Sequence, residues 1–170
     1  MRTISKYGFK FLFDHVLGVV LAFFILLVLG WATEHVGFLP IACLSAALYV
    51  GIIYPDAWRW GNSESKPYNE VKESPLRALA ASMIPFVICI ALMVWGLFDT
   101  TGIANFVTRG WYLPFAGFFS KFQQLKWYWV LICGLSLPLT AVVGYCVGIN
   151  GFSVPNKMIQ RQIKKRQSKT

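Results

Sequence analysis

The chain has 170 residues, of which 56% are hydrophobic and only 14% are charged, so it lacks the polar residues that a soluble domain of this size needs for its surface. A net charge of +9 could indicate nucleic-acid binding. The basic residues cluster beside apolar segments, however, which is typical of loops that face anionic lipid. We therefore predict an all-α membrane protein that binds the bilayer and no nucleic acid.

Four apolar segments are long enough to cross a bilayer, because about 20 helical residues span a hydrocarbon core of about 30 Å. The first could also be a signal peptide with a cleavage site at Gly30-Trp31-Ala32, but its apolar region is long and we interpret it as an anchor. The short link at residues 32–35 predicts that the first two spans run antiparallel. We expect a four-transmembrane-helix bundle built as two antiparallel hairpins. The predicted spans are residues 11–31, 36–55, 76–98 and 127–149.

A polar segment separates the two hairpins. We predict that Pro55 marks the end of the second span and that Gly61-Asn62 prevents any further helix, so that residues 56–75 form a loop. Ser74-Pro75 is a favourable start for the third span, since proline has no N–H to leave unpaired there. Indole rings and basic side chains suit the headgroup layer. The residues predicted to contact the membrane surface here are Trp58, Arg59 and Trp60.

The second long connection, residues 99–126, differs from the first because it contains an apolar aromatic run that is too short to span. The segment 106–122 is predicted to be either interfacial or re-entrant, and the sequence does not decide between the two. Its candidate interfacial residues are Arg109, Trp111 and Tyr112.

Orientation follows from the distribution of Lys and Arg. The first ten residues, the central polar segment at residues 54–77 and the tail contain 3, 4 and 6 of the 16 basic residues. The positive-inside rule then places both termini and the 56–75 loop in the cytoplasm, and the 99–126 loop outside. Residues 1–170 thus form a single multi-pass domain in a plasma membrane. Its basic tail, residues 150–170, is expected to contact anionic headgroups through Lys164, Lys165 and Arg166.

The ionisable residues give little sign of chemistry. His15 and His35 are predicted on opposite sides of the membrane, and Asp14, Asp56 and Asp99 at the ends of spans. A midplane without ionisable groups argues against a proton-coupled carrier acting as a monomer. The sequence has no paired-cysteine, HExxH, GxSxG or phosphate-loop motif. We therefore predict no metal, no cofactor and no catalytic residue, and leave enzymatic activity open.

Small residues at helical spacing suggest where helices approach closely, because helix association in lipid depends on such contacts. Gly144 and Gly148 form a GxxxG motif beside Tyr145, and Gly18 with Ala22 repeats the spacing in the first span. These residues face either the chain's own helices or a partner. We favour a partner for the last span, because a proline near its middle could turn its inner half outward.

Two short stretches resemble small four-span membrane proteins of Gram-positive bacteria. They are Ala57-Trp58-x-x-Gly61 and Gly144-Tyr145-x-x-Gly148-x-x-Gly151-Phe152-Ser153, the latter followed by the basic tail. The resemblance implies a bacterial plasma membrane and no activity.

The sequence favours an accessory or assembly subunit of a larger membrane complex. Such a subunit binds a protein partner or forms a homo-oligomer. One alternative is a small oligomeric transporter or pore, which unpaired polar groups facing one groove at the midplane would favour. Another is a membrane-embedded enzyme acting on lipid, which a water-filled cavity reaching Asp56 and Arg59 would favour.

Overall fold

The computed structural model describes residues 2–32, 35, 37–66, 73–119 and 127–150. Within these ranges the regular structure is helical, without strands. Short 3-10 turns at Gly30–Ala32 and Leu113–Phe115 accompany the α-helices. In chain order the helices are α1 (Arg2–Leu29), α2 (Phe38–Glu64), α3 (Pro75–Phe98), α4 (Ile103–Trp111), α5 (Ala116–Phe119) and α6 (Trp127–Ile149).

Helices α1, α2, α3 and α6 are each long and apolar enough to cross a membrane, which confirms the prediction of four candidate spans. Most of their large apolar side chains point outward, as a lipid-facing surface requires. The chain is therefore an all-helical integral membrane protein. Helix α3 begins at Pro75 with Ser74 as its cap position, as predicted.

The four long helices form a ring, in which α1 and α6 each contact both α2 and α3. Lys10 pairs with Asp56 while His15 reaches Tyr49, so α1 and α2 run in opposite directions. The buried core between the helices contains many aromatic and small residues. Its largest fully buried side chains include Trp60, Tyr49, Tyr112, Tyr145, Phe11 and Ile53.

Helix α2 is longer than predicted, because it continues through Pro55 and ends only at Glu64. The expectation that Gly61-Asn62 stops the helix is wrong. Gly61 lies against the main chain of α6, where an added Cβ would overlap the carbonyl oxygen of Tyr145. This glycine therefore permits close helix contact instead of forming a turn.

The small residues of the last span pack inside the chain. A Cβ on Gly148 would overlap the carbonyl oxygen of Trp58, and one on Gly144 would lie 2.9 Å from the Cβ of Ala57. In α1, Gly18 lies against the ring of Tyr49, and Ala22 is buried. These contacts are those of intramolecular packing, which is one of the two alternatives given for these residues. The preference for a partner face on the last span is not supported.

The aromatic segment between α3 and α6 folds back among the long helices. Tyr112 is only 1% exposed and Phe115 is buried, with the Phe115 ring centroid 5.4 Å from that of Tyr49. Gly117 then packs against Ala42, near the start of α2. The segment thus reaches residues near the middle of α2 and then returns towards the first turns of α2.

Candidate functional site

Two ionisable residues lie inside the bundle. Asp14 is 5% exposed and His15 is 3% exposed. The expectation that both sit at the accessible end of a span is wrong, because α1 begins at Arg2 and places residues 14 and 15 near the middle of a 28-residue helix. We refer to Asp56, Asp14, His15 and Tyr49 together as the polar seam.

The acidic end of the polar seam joins α1 to α2. The Lys10 ammonium lies 2.9 Å from a carboxylate oxygen of Asp56, and the Arg59 guanidinium lies 3.7 Å from the same oxygen. The Asp14 carboxyl group lies beside that of Asp56. Its buried Oδ2 has no hydrogen-bond partner among the described residues. Two acidic groups are thus held close together, with Lys10 as their nearest basic partner.

The middle of the polar seam is the pair of His15 and Tyr49. His15 Nδ1 lies 2.8 Å from the Tyr49 hydroxyl, and which atom donates depends on the imidazole tautomer. The indole of Trp111 covers the imidazole, with ring centroids 4.3 Å apart. The other ring nitrogen, Nε2, is buried and has no hydrogen-bond partner in the described part of the chain. The main chain of Trp111 also approaches the imidazole, so His15 lies between Tyr49 on α2 and the aromatic segment.

Further polar groups follow beyond His15. Trp111 donates from Nε1 to the Cys89 sulfur at 3.4 Å. The Tyr112 hydroxyl lies beside Gly134 and the Cys89 thiol. Ser45 Oγ, one turn from Tyr49 on α2, lacks a hydrogen-bond partner among the residues described. A buried polar group without a partner costs about 1–3 kcal/mol. Such groups occur on Asp14, His15 and Ser45.

A second buried cluster lies where α2 ends, and it is fully paired. The Glu64 carboxylate accepts hydrogen bonds from Trp60 Nε1 at 2.7 Å, from Arg77 Nη1 at 2.7 Å and from the Tyr145 hydroxyl. The Tyr145 hydroxyl also accepts from the Ser74 N–H at 3.0 Å. We call these five residues the Glu64 cluster. Because the Glu64 carboxylate accepts from residues of three helices, the cluster joins α2, α3 and α6.

Trp60 is not a membrane-surface residue, contrary to the prediction. It is 1% exposed, and Tyr7 stacks on its ring with centroids 4.0 Å apart. The continuation of α2 beyond Pro55 turns it inward to reach Glu64. Trp58 is half-buried and the Arg59 side chain is 74% exposed, so Arg59 lies on the surface as expected.

The remaining predicted residues are distributed between the inside and the outside of the bundle. Arg109 donates to the side-chain oxygen of Asn105 at 3.3 Å. Trp111 and Tyr112 contact the interior instead of lying along an outer surface. Lys164, Lys165 and Arg166 fall outside the described residues. In the ranges that the structure describes, no group of His, Cys, Asp and Glu is arranged to hold a metal ion.

The sequence contains a pattern that indicates the position of the polar seam. The buried positions of α1 include Phe11, Asp14, Gly18 and Ala22, which recur at intervals of three and four residues. Asp14 thus shares a helix face with Gly18 and Ala22, the pair of small residues predicted to permit close helix contact. Extending that face towards the N-terminus would have placed Asp14 in the interior.

Comparison of the chain with protein-family models, curated proteins and solved structures finds no significant match.

Proposed function

We propose that the protein is a small membrane transporter or channel that moves protons or small cations along the polar seam. The observation that supports this most directly is His15, which is buried, hydrogen-bonded to Tyr49 on one side and unpaired on the other. Ionisable groups inside a membrane are costly, and they usually mark an ion or proton path. A purely structural role would leave fewer unpaired groups, as the Glu64 cluster illustrates.

The order of the residues along α1 and α2 supports a path and not an isolated pair. Lys10 and Arg59 are exposed and flank Asp56. Asp14 comes next, followed by His15 with Tyr49. Carboxyl, imidazole and phenol groups can all bind and release protons or coordinate small cations through oxygen and nitrogen. The seam therefore offers successive binding groups from the bundle surface to its interior.

The aromatic segment is proposed to be re-entrant and to close the other end of this path. Its support is the contact of Trp111 with His15 and of Phe115 with Tyr49. Irregular backbone at membrane depth is tolerated when it is surrounded by protein. Movement of Trp111 away from the imidazole would open His15 towards the polar face of α4.

The membrane arrangement completes the proposal. Two antiparallel hairpins would place both termini and the connection between α2 and α3 in the cytoplasm of a bacterial cell, with the connection between α3 and α6 outside. The support is the concentration of Lys and Arg in the first ten residues, the central segment and the tail. The acidic end of the polar seam would then face the cytoplasm.

The test uses the purified chain in proteoliposomes loaded with a pH-sensitive dye, with a potassium diffusion potential as the driving force. We expect proton flux above that of empty liposomes. His15→Gln and Asp14→Asn should reduce the flux to the background, because each removes a titratable group from the path. His35→Gln is a matched control, since His35 is exposed and lies outside the seam.

If the wild type and a correctly folded His15→Gln variant show equal proton flux, the proposed proton path is wrong. Repeating the assay with sodium or potassium flux as the measured quantity distinguishes a cation path from a proton path. If no ion moves in any variant, the transport proposal is wrong as a whole.

The accessory-subunit hypothesis remains a second candidate, and it now depends on a different surface. Ala47 and Gly51 lie on the exposed face of α2, and a Cβ on Gly51 would meet no other atom within 4 Å. Such a smooth face permits close approach of another helix. Ala47→Leu with Gly51→Leu should then reduce cross-linking to a partner or to a second copy without lowering the melting temperature.

A further inference from the structure

A groove at the other end of the bundle from the Glu64 cluster is separate from the polar seam. It has a volume of about 480 Å³ and lies between the end of α3, the polar face of α4 and the start of α6. This volume falls within the range of small-molecule sites in proteins. The inference below does not depend on the proposed function.

One wall of the groove contains a fixed negative charge. The Asp99 carboxylate accepts hydrogen bonds from the Thr101 hydroxyl at 2.5 Å, the Thr101 N–H at 2.9 Å and the Ala104 N–H at 2.6 Å. These donors, the Thr101 hydroxyl first, hold the pKa of Asp99 below its usual value, so the group stays ionised at neutral pH. Among the described residues that line the groove none is basic.

The other walls suit the apolar part of a ligand. Leu92, Met93 and Leu97 line the side formed by α3, and Trp127 with Tyr128 lines the side formed by α6. Aromatic rings attract organic cations through their negative faces, at about 0.5–1 kcal/mol for an exposed site. Indole and phenol groups are also common at the level of lipid headgroups.

We propose that this groove binds a quaternary ammonium group, either of a free cation such as choline or of a lipid headgroup. Three donors already occupy the oxygens of Asp99, so the carboxylate attracts a ligand mainly through its charge. A trialkylammonium group needs no hydrogen-bond acceptor, and its methyl groups fit the apolar and aromatic walls.

The test is equilibrium dialysis of the full chain in a maltoside detergent against radiolabelled choline. We expect saturable binding that tetramethylammonium displaces, and that the uncharged isostere 3,3-dimethylbutan-1-ol does not. Asp99→Asn should weaken binding on the order of tenfold, because it removes the only charge among the described residues that line the groove. Trp127→Leu should weaken it roughly two- to fivefold. Trp31→Leu is the matched control, since Trp31 is an exposed tryptophan that does not line the groove.

Displacement by the uncharged isostere as strong as by tetramethylammonium would overturn the proposal, as would an absence of saturable binding. Binding that neither Asp99→Asn nor Trp127→Leu weakens would show that choline binds elsewhere, and would also overturn it. Nanodiscs then identify the source of the ligand. If phosphatidylcholine abolishes the binding of free choline and phosphatidylglycerol does not, the site holds a lipid headgroup. If choline binds equally in both, the site takes the free cation.

Discussion

Gly148→Ala is the sharpest test of how α6 packs in the bundle. The added methyl group would overlap the carbonyl oxygen of Trp58 and lie 2.8 Å from the main-chain nitrogen of Asn62. Both are backbone atoms of α2, so no side chain can rotate to make room, and the two helices must move apart. Overpacking of this kind costs about 1–3 kcal/mol. At about 2–4 °C per kcal/mol for a chain of this size, the melting temperature should fall by several degrees.

The control is Gly51→Ala in α2, where a Cβ meets no other atom within 4 Å. Alanine favours a helix over glycine by about 0.8–1 kcal/mol, so Gly51→Ala should leave the melting temperature unchanged or raise it. Both variants are compared with the wild type by thermal unfolding in the same detergent. Equal melting temperatures for the two variants would refute the internal packing of Gly148. Release of a bound partner by Gly148→Ala at an unchanged melting temperature would restore the partner interpretation.

Three further predictions concern other parts of the molecule. Glu64→Gln should destabilise the chain by about 1–3 kcal/mol in detergent unfolding. The same substitution should destabilise an Arg77→Met chain much less, because that chain lacks the buried ion pair before and after Glu64 is changed. With the native cysteines removed, Thr101→Cys should react with an impermeant thiol reagent in intact cells and Ser63→Cys should not, and the reverse pattern would invert the proposed topology. The folded-state pKa of Asp99 is lowered from 3.8, so its support of the start of α4 is present above about pH 4 and is lost as the pH falls further. The protection of the α4 amides, with each exchange rate corrected for the intrinsic rate at that pH, should fall in acid, and Asp99→Asn should remove that pH dependence.

The positions of the spans could be predicted because hydropathy and length alone determine them. The end of α2 could not be predicted in the same way. Proline and glycine at residues 55 and 61 are ordinary helix breakers, yet the contact of Gly61 with Tyr145 on α6 compensates for the weak helical preference of glycine. That contact joins residues far apart in the chain. Local propensity contains no information about it.

The candidate site could be predicted from the sequence only in part, for a related reason. Asp14 and His15 looked like boundary residues because the apolar run after them has a clear start. The helix itself begins much earlier, at Arg2, and only the packing of α1 against α2 shows that these two side chains lie in the interior. Trp111 was recognised as part of an unusual segment. Its contact with the His15 ring depends on how that segment folds back, which no spacing in the sequence reveals.

The ion pair between Lys10 and Asp56 also has a consequence for biogenesis. An acidic side chain costs about 2.5–3.5 kcal/mol at the centre of an inserting helix and less towards its end. Asp56 lies in the last third of α2, and its partner on that helix is the exposed Arg59. Helix α1 is synthesised first, so Lys10 is already present when α2 leaves the ribosome, and the 2.9 Å contact can form as the second helix enters the bilayer. We therefore expect the first two helices to partition into lipid together, and expect α2 expressed without α1 to insert less efficiently than α2 with Asp56 replaced by Asn.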